Sequence, residues 1–93
     1  MTQTGGERYT DILIDQLINA TPKALVAGES VVIVLDWDSK DVLFVSRPYA
    51  ARATAHRMQT RHSHGGRAYV ACRHAGGTTF LTGRDHLLGT VPA

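Results

Sequence analysis

Cysteine is nearly absent from this sequence, in which Cys72 is the only one among 93 residues. A single thiol makes no internal disulfide and no Cys-x-x-Cys site, which argues against redox and zinc-finger roles. Long apolar runs are missing too, because no stretch of roughly 18 residues is apolar throughout. Residues 1–6 lack the basic and apolar regions of a signal peptide. We therefore expect a cytoplasmic protein without a membrane segment.

Acidic residues are absent from the stretch 47–74, which holds six of the ten Lys and Arg residues and four of the five His residues. Seven of the eight Asp and Glu residues precede it. This division predicts a cationic surface or pocket for phosphate, carboxylate or nucleic acid. Nucleic acid fits least well, because few aromatic residues alternate with the arginines and no known binding module is recognisable.

The length of the chain limits its core. With 43% hydrophobic residues, it is expected to form one domain over residues 7–93, after a disordered start at residues 1–6. Small domains bury little apolar area, and a second subunit supplies more of it and helps to close a site. We therefore expect a homodimer.

Apolar spacing predicts the first elements. Leu13 and Leu17 recur at helical spacing from Glu7 onward, and Thr21-Pro22 ends that helix. A second short helix is predicted over 23–27, with Gly28 as its left-handed cap. The β-branched run 31–35 is typical of a strand covered on both faces, and we predict that it is the central strand.

Turn and strand signals continue along the rest of the chain. Ser46 and Pro48 predict the start of a helix that runs to about residue 60. A last helical turn is expected over 82–89. The strands predicted in this part, with a hairpin between the last two, are 42–45, 67–73 and 78–81. The pattern indicates an α+β fold, a mixed β-sheet with packed helices.

Several segments, in order, resemble one enzyme family. They are Ala27-Gly28, the strand 31–34, Asp36-Trp37-Asp38, the segment 58–62, His64-Gly65-Gly66 with Tyr69-Val70-Ala71, and the run from Leu81-Thr82 through Asp85 to Val91-Pro92. Over residues 12–92 this order resembles 3,4-dihydroxy-2-butanone 4-phosphate synthase. The resemblance implies a half domain of that fold, dimeric like the family.

The same comparison shows what this chain lacks. In the family an acidic loop after the first strand carries magnesium and moves protons, whereas here Ser39-Lys40 leads directly to Asp41. The family enzyme is about twice as long, and its second half has no counterpart here. The resemblance therefore implies a truncated, divergent relative that does not carry out the riboflavin-pathway reaction.

Two carboxylates follow the buried strand. Asp36 and Asp38 would project to one side if the extended backbone continues, and paired carboxylates share a proton or bind a hard cation such as Mg²⁺. We name both as candidate catalytic residues. The alternative is a polar turn in which one Asp accepts hydrogen bonds from backbone amides.

The basic turn supplies the other candidates. His62 and His64 are candidate general acids or bases, because imidazole titrates near neutral pH; the alternative is a solvated loop. Arg61 and Arg67 are candidate substrate-binding residues for a carboxylate or phosphate, although most arginines are surface residues. Trp37 is placed with them as a pocket wall, or it covers a dimer contact.

These observations lead to two functional hypotheses. In the first, the protein is a small dimeric biosynthetic enzyme, an isomerase, cyclase or lyase. It carries out a proton-transfer-driven rearrangement of an anionic or carbonyl-bearing small metabolite, with no cofactor unless the carboxylates hold Mg²⁺. In the second, it is a ligand-binding or regulatory module without catalysis.

Overall fold

The computed structural model describes residues 5–62, 65–82 and 86–92, with side chains from residue 12 onward. These residues form two helices and five strands: α1 (Gly5–Ala20), β1 (Ser30–Leu35), β2 (Val42–Val45), α2 (Arg52–Gln59), β3 (Arg67–His74), β4 (Gly77–Thr82) and β5 (His86–Pro92). The strands make one sheet in the order β2-β1-β3-β4-β5. All four pairings are antiparallel. The α+β prediction is confirmed, but the sheet is antiparallel and not mixed.

Strand β1 is buried along its whole length, as its unbroken β-branched sequence predicts. Five of its residues, 31–35, have no exposed surface at all. Burial of one such side chain stabilises the fold by about 1.5–3 kcal/mol. The prediction that β1 is central is wrong, however, because it is second in the sheet and β3 lies in the middle.

The two helices cover opposite faces of the sheet. Val31, Ile33 and Leu35 of β1 pack in one cluster with Leu13 and Leu17 of α1. The alternate residues of β1, Val32 and Val34, pack in a second cluster with Ala55 and Met58 of α2. The period of two along a strand therefore divides the core into an α1 side and an α2 side.

The side chains of β3 face alternate sides of the sheet, as predicted. Tyr69 and Ala71 belong to the cluster on the α1 side, and Val70 and Cys72 lie on the α2 side. The predicted hairpin is also present, since His74 pairs with Gly77 across the two-residue turn Ala75-Gly76.

Helix α1 begins at Gly5, so Gly5 and Gly6 belong to its first turn. It ends as predicted before Pro22, where the Thr21 hydroxyl donates to the Leu17 carbonyl at 2.7 Å. Among the described residues, neither helix is long and apolar enough to cross a membrane.

The segment 23–27 is not a helix. Leu25 N–H donates to Pro22 O, and Glu29 N–H donates to Val26 O, so two tight turns replace it. Gly28 has the predicted left-handed conformation, with φ of +94°, and its N–H donates to Arg73 O at 2.9 Å. The segment therefore continues the pairing of β1 with β3 beyond Ser30.

Ser46 does not begin a helix either. Its hydroxyl is buried, accepts from Val32 N–H at 2.8 Å and donates to Arg47 O at 2.8 Å. Beyond it, Tyr49 exchanges backbone hydrogen bonds with Ser30 at 2.7 and 2.9 Å. Because this stretch remains bonded to the edge of β1, α2 starts only at Arg52.

The helical turn predicted over 82–89 is also wrong where the structure describes it, because residues 86–92 form β5. Leu81 of β4 pairs with Leu87, and Leu88 and Val91 pack against the cluster on the α1 side. A helix here would leave the backbone of β4 without partners along one edge, which is costly where Phe80 and Leu81 are buried. Residues 83–85 lie outside the described residues.

Gly66 is predicted to be essential for stability. A Cβ at this position would lie 2.3 Å from Leu35 O and 2.8 Å from the Leu43 Cδ1 atom. We expect Gly66→Ala to lower the free energy of unfolding by about 1–3 kcal/mol, the usual cost of overpacking. Gly76→Ala is the control, because its Cβ would meet nothing closer than the His74 side chain at 3.5 Å. Urea unfolding followed by circular dichroism measures both, and equal midpoints would contradict the prediction.

Candidate functional site

The turn after β1 is built around the Asp36 carboxylate. Its Oδ2 accepts from the backbone N–H groups of Asp38 and Ser39, both at 3.0 Å, and from the Ser39 hydroxyl at 3.2 Å. The N–H of Ser39, and next that of Asp38, lower the pKa of Asp36 because they stabilise its charged form. Asp36 therefore has the turn-stabilising arrangement that was the alternative to a catalytic role.

The other residues of this turn are held from two sides. Asp36 N–H donates to Asp41 O at 2.8 Å, which closes the turn. Lys40 has the left-handed φ of 64°, and its carbonyl accepts from the Gln16 amide of α1 at 2.8 Å. Asp38 and Trp37 are exposed. Among the described residues, no three His, Cys, Asp or Glu side chains are grouped so that they could hold a metal ion.

Arg67 contacts Trp37 on the α1 side of the sheet. Its guanidinium lies 5.9 Å from the centre of the Trp37 ring and 5.7 Å from that of Tyr69, within cation–π range. Its Nη2 donates to the Thr82 hydroxyl at 3.1 Å. The structure thus joins two of the three predicted substrate-binding residues, and Arg67 has partners from two strands and a turn.

His62 lies on the α2 side. Its Nε2 and the Tyr49 hydroxyl are 2.9 Å apart and share a hydrogen bond. The imidazole also stacks on the Phe44 ring, with the ring centres 4.8 Å apart. Arg61, the residue before it, is exposed, and His64 lies outside the described residues. The half-buried imidazole is therefore oriented by two aromatic side chains that the sequence analysis did not single out.

The turn after β1 and the basic turn before β3 lie at one end of the sheet, because Leu35 at the end of β1 pairs with Arg67 at the start of β3. The sheet nevertheless lies between the side chains. Arg67 is two residues before Tyr69 on β3 and therefore shares its α1 side. Phe44, on whose ring His62 stacks, packs with the cluster on the α2 side. Trp37 with Arg67, and His62 with Tyr49, are thus two separate groups.

A cleft of about 300 Å³ lies on the α1 side at the opposite end of the sheet. Its apolar lining is Ile18, Phe80, Val91 and Pro92. Its polar lining is Thr21, Lys23, Arg73 and Thr78, so it contains two cations, and within the described part of the chain no carboxylate lines it.

Arg73 is the most unusual residue of this cleft. Its Nη2 donates to Pro22 O at 3.4 Å, but its buried Nε has no hydrogen-bond partner among the described residues. The nearest acid along the paired backbone, Glu29, directs its Oε1 to Val26 N–H at 3.1 Å. A buried N–H of a charged group without an acceptor costs stability, by about 1–3 kcal/mol or more.

Sequence reasoning missed this cleft, although one signal for it was present. Arg73 follows Tyr69 and Ala71 at a spacing of two, so the alternation that buries those residues also directs Arg73 to the core side. Lys23 reaches the same place only because the turn at Pro22–Leu25 replaces the predicted helix. The turn conformation depends on backbone pairing with β3, and such a long-range contact cannot be inferred from the local sequence.

Comparison with known proteins finds no family model, no curated protein and no solved structure that matches this chain. The resemblance to 3,4-dihydroxy-2-butanone 4-phosphate synthase therefore rests on the sequence segments alone and stays a prediction. The candidate functional features of the molecule are the two aromatic-lined groups and the cationic cleft.

The lowered pKa of Asp36 predicts a pH-dependent contribution to stability. A carboxyl with a pKa below its unfolded value stabilises the fold above the unfolded pKa, and this stabilisation is lost as the pH falls through the folded pKa. Asp36→Ala should therefore lower the urea midpoint at neutral pH, and the difference from the original protein should shrink below the ordinary pKa of 3.8. Asp38→Ala, which removes an exposed carboxylate, is the control. A difference that stays constant with pH would contradict the assignment.

Proposed function

We propose that this protein binds a small anionic molecule with an apolar body in the cleft between α1, the turn at Pro22–Leu25 and the strands β3, β4 and β5. The observation that carries the proposal is the half-buried Arg73 guanidinium, which lines the cleft with one long hydrogen bond, to Pro22 O at 3.4 Å, and with no carboxylate beside it in the described lining. An oxygen of an anion bound in the cleft would accept from this guanidinium and neutralise its charge.

The lining of the cleft supports the same function. Arg73 and Lys23 supply positive charge, and Phe80 with Val91 supplies apolar surface for the rest of the ligand. Small-molecule sites typically combine a largely apolar wall with a few polar groups that fix orientation. This is the ligand-binding alternative of the sequence analysis, located outside the residues predicted for it.

Anion binding is predicted to depend on Arg73. Titration with benzoate or phenyl phosphate should shift the backbone N–H signals of Thr78 and Phe80, which line the cleft, in a ¹H–¹⁵N spectrum, and the shift should reach saturation. Arg73→Gln should weaken binding about tenfold or more, since it removes a charge-assisted hydrogen bond worth about 1.5–3 kcal/mol.

Arg57→Gln is the matched control for this experiment. It also removes one arginine charge, but from an exposed position on α2, across the sheet from the cleft. Equal affinities of Arg73→Gln and the original protein, or no saturable shift with either anion, would refute the proposal.

A second candidate function is proton transfer at His62. The specific observation in its favour is the hydrogen bond between the His62 Nε2 and the buried Tyr49 hydroxyl, together with the stacking on Phe44. An imidazole held in one orientation is suited to act as a general acid or base. This second candidate corresponds to the enzymatic hypothesis. The homodimer expected with that hypothesis also stays a prediction.

Proton transfer is tested by isotope exchange. In D₂O, the protein should accelerate loss of the ¹H signal from carbons next to the carbonyl of dihydroxyacetone phosphate or pyruvate. His62→Gln should reduce that rate about 100-fold or more, the usual contribution of a general base. His74→Gln is the control, because His74 is an exposed histidine at the far end of β3. Exchange that is no faster than in buffer, or that survives in His62→Gln, would exclude this role.

A further inference from the structure

The charge of the cleft selects among anions, and we infer that its ligand is a phosphate monoester in the dianionic form, not a monoanionic carboxylate. This inference rests on the proposed function. Two cations, Lys23 and Arg73, line the cleft, and within the described part of the chain no carboxylate does. A ligand head of charge −2 neutralises this lining, half-buried at Arg73 and exposed at Lys23, whereas a monoanion balances only one of the two positive charges.

The number of available donors agrees with a phosphate head. Thr21 has one hydroxyl hydrogen, which it already donates to Leu17 O at 2.7 Å. The donors that remain along the polar lining are Arg73, Lys23 and the Thr78 hydroxyl. Thr78 is opposite Arg73 in the pairing of β4 with β3, so the two side chains are adjacent on one face. Three donor groups suit the three terminal oxygens of a phosphate monoester better than the two oxygens of a carboxylate.

The apolar lining assigns the position of the ligand body. Phe80 follows Thr78 on the same face of β4, and Val91 is opposite Thr78 on β5. Ile18 of α1 and Pro92 of β5 complete the apolar part of the lining. The phosphate therefore lies against Arg73 and Lys23, and its ester group lies against Phe80 and Val91. A cleft of about 300 Å³ is at the small end of ligand sites, which limits the body to about the size of one ring.

The decisive comparison is between phenyl phosphate and benzenesulfonate, which share the ring and three terminal oxygens but differ in charge. At about pH 8 the phosphate is dianionic, since its second pKa is about 6. Titrations at low salt, followed by the Arg73 Nε–H signal, should give a Kd for phenyl phosphate about fivefold lower. That factor corresponds to about 1 kcal/mol, the interaction of one more pair of unit charges about 4 Å apart in water.

Substitutions identify the residue that interacts with the second negative charge of the phosphate. Lys23→Gln should bring the two Kd values close together while benzenesulfonate still binds, because Arg73 remains. Arg57→Gln, which removes the same charge from α2, should preserve the fivefold difference. Equal Kd values for the two ligands in the original protein, or a difference that survives in Lys23→Gln, would overturn the inference while leaving anion binding intact. Failure of both ligands to bind would overturn the proposed function together with it.

Discussion

The pairing of β1 with β3 is the constraint on which the rest of the structure depends. Six consecutive residue pairs join the strands, from Ser30 opposite Cys72 to Leu35 opposite Arg67. Because the register is fixed by side chains buried on both faces, a slip of one residue would exchange the two core clusters. The pairing therefore determines what lies beside each end of β3. At its start, Gly66 packs against Leu35 O; at its end, Arg73 O accepts from Gly28 N–H.

The same register explains why two arginines of one strand have different surroundings. Arg67 and Arg73 are six residues apart, so both project to the α1 side. Arg67 lies near Trp37 and Tyr69 and donates to Thr82. Arg73 lies beside the turn at Pro22–Leu25, where its Nη2 donates to Pro22 O and its Nε is buried without an acceptor among the described residues. The first arginine connects parts of the fold, while the second is the one for which we propose a ligand.

Local sequence patterns predicted the elements whose periodicity is set by burial. The unbroken apolar run of β1 and the alternation at Tyr69, Val70 and Ala71 are direct consequences of which faces are covered, so the pattern and the structure agree. Ser46 and the segment 86–92 were misread for the opposite reason. Their conformations are determined by hydrogen bonds to the neighbouring strands β1 and β4. These hydrogen bonds form between strands, so the capping and helical patterns of the local sequence do not predict them.

The candidate site was predictable to a smaller extent, because charge along the sequence is a poor guide to charge in space. The basic stretch 47–74 drew attention to Arg61 and His62, which lie at the end of α2 and on its side of the sheet. The cleft instead combines Arg73, from the end of that stretch, with Lys23, which precedes it by many residues in the acidic half. Most of the described basic residues are exposed, Lys23 among them, and water compensates much of the charge of an exposed side chain. Among the described arginines, Arg73 differs because folding buries its Nε without supplying an acceptor, and its guanidinium lines a cleft in which the described residues place no carboxylate. This difference in surroundings, and not position in the basic stretch, is the reason for proposing the cleft as the anion site.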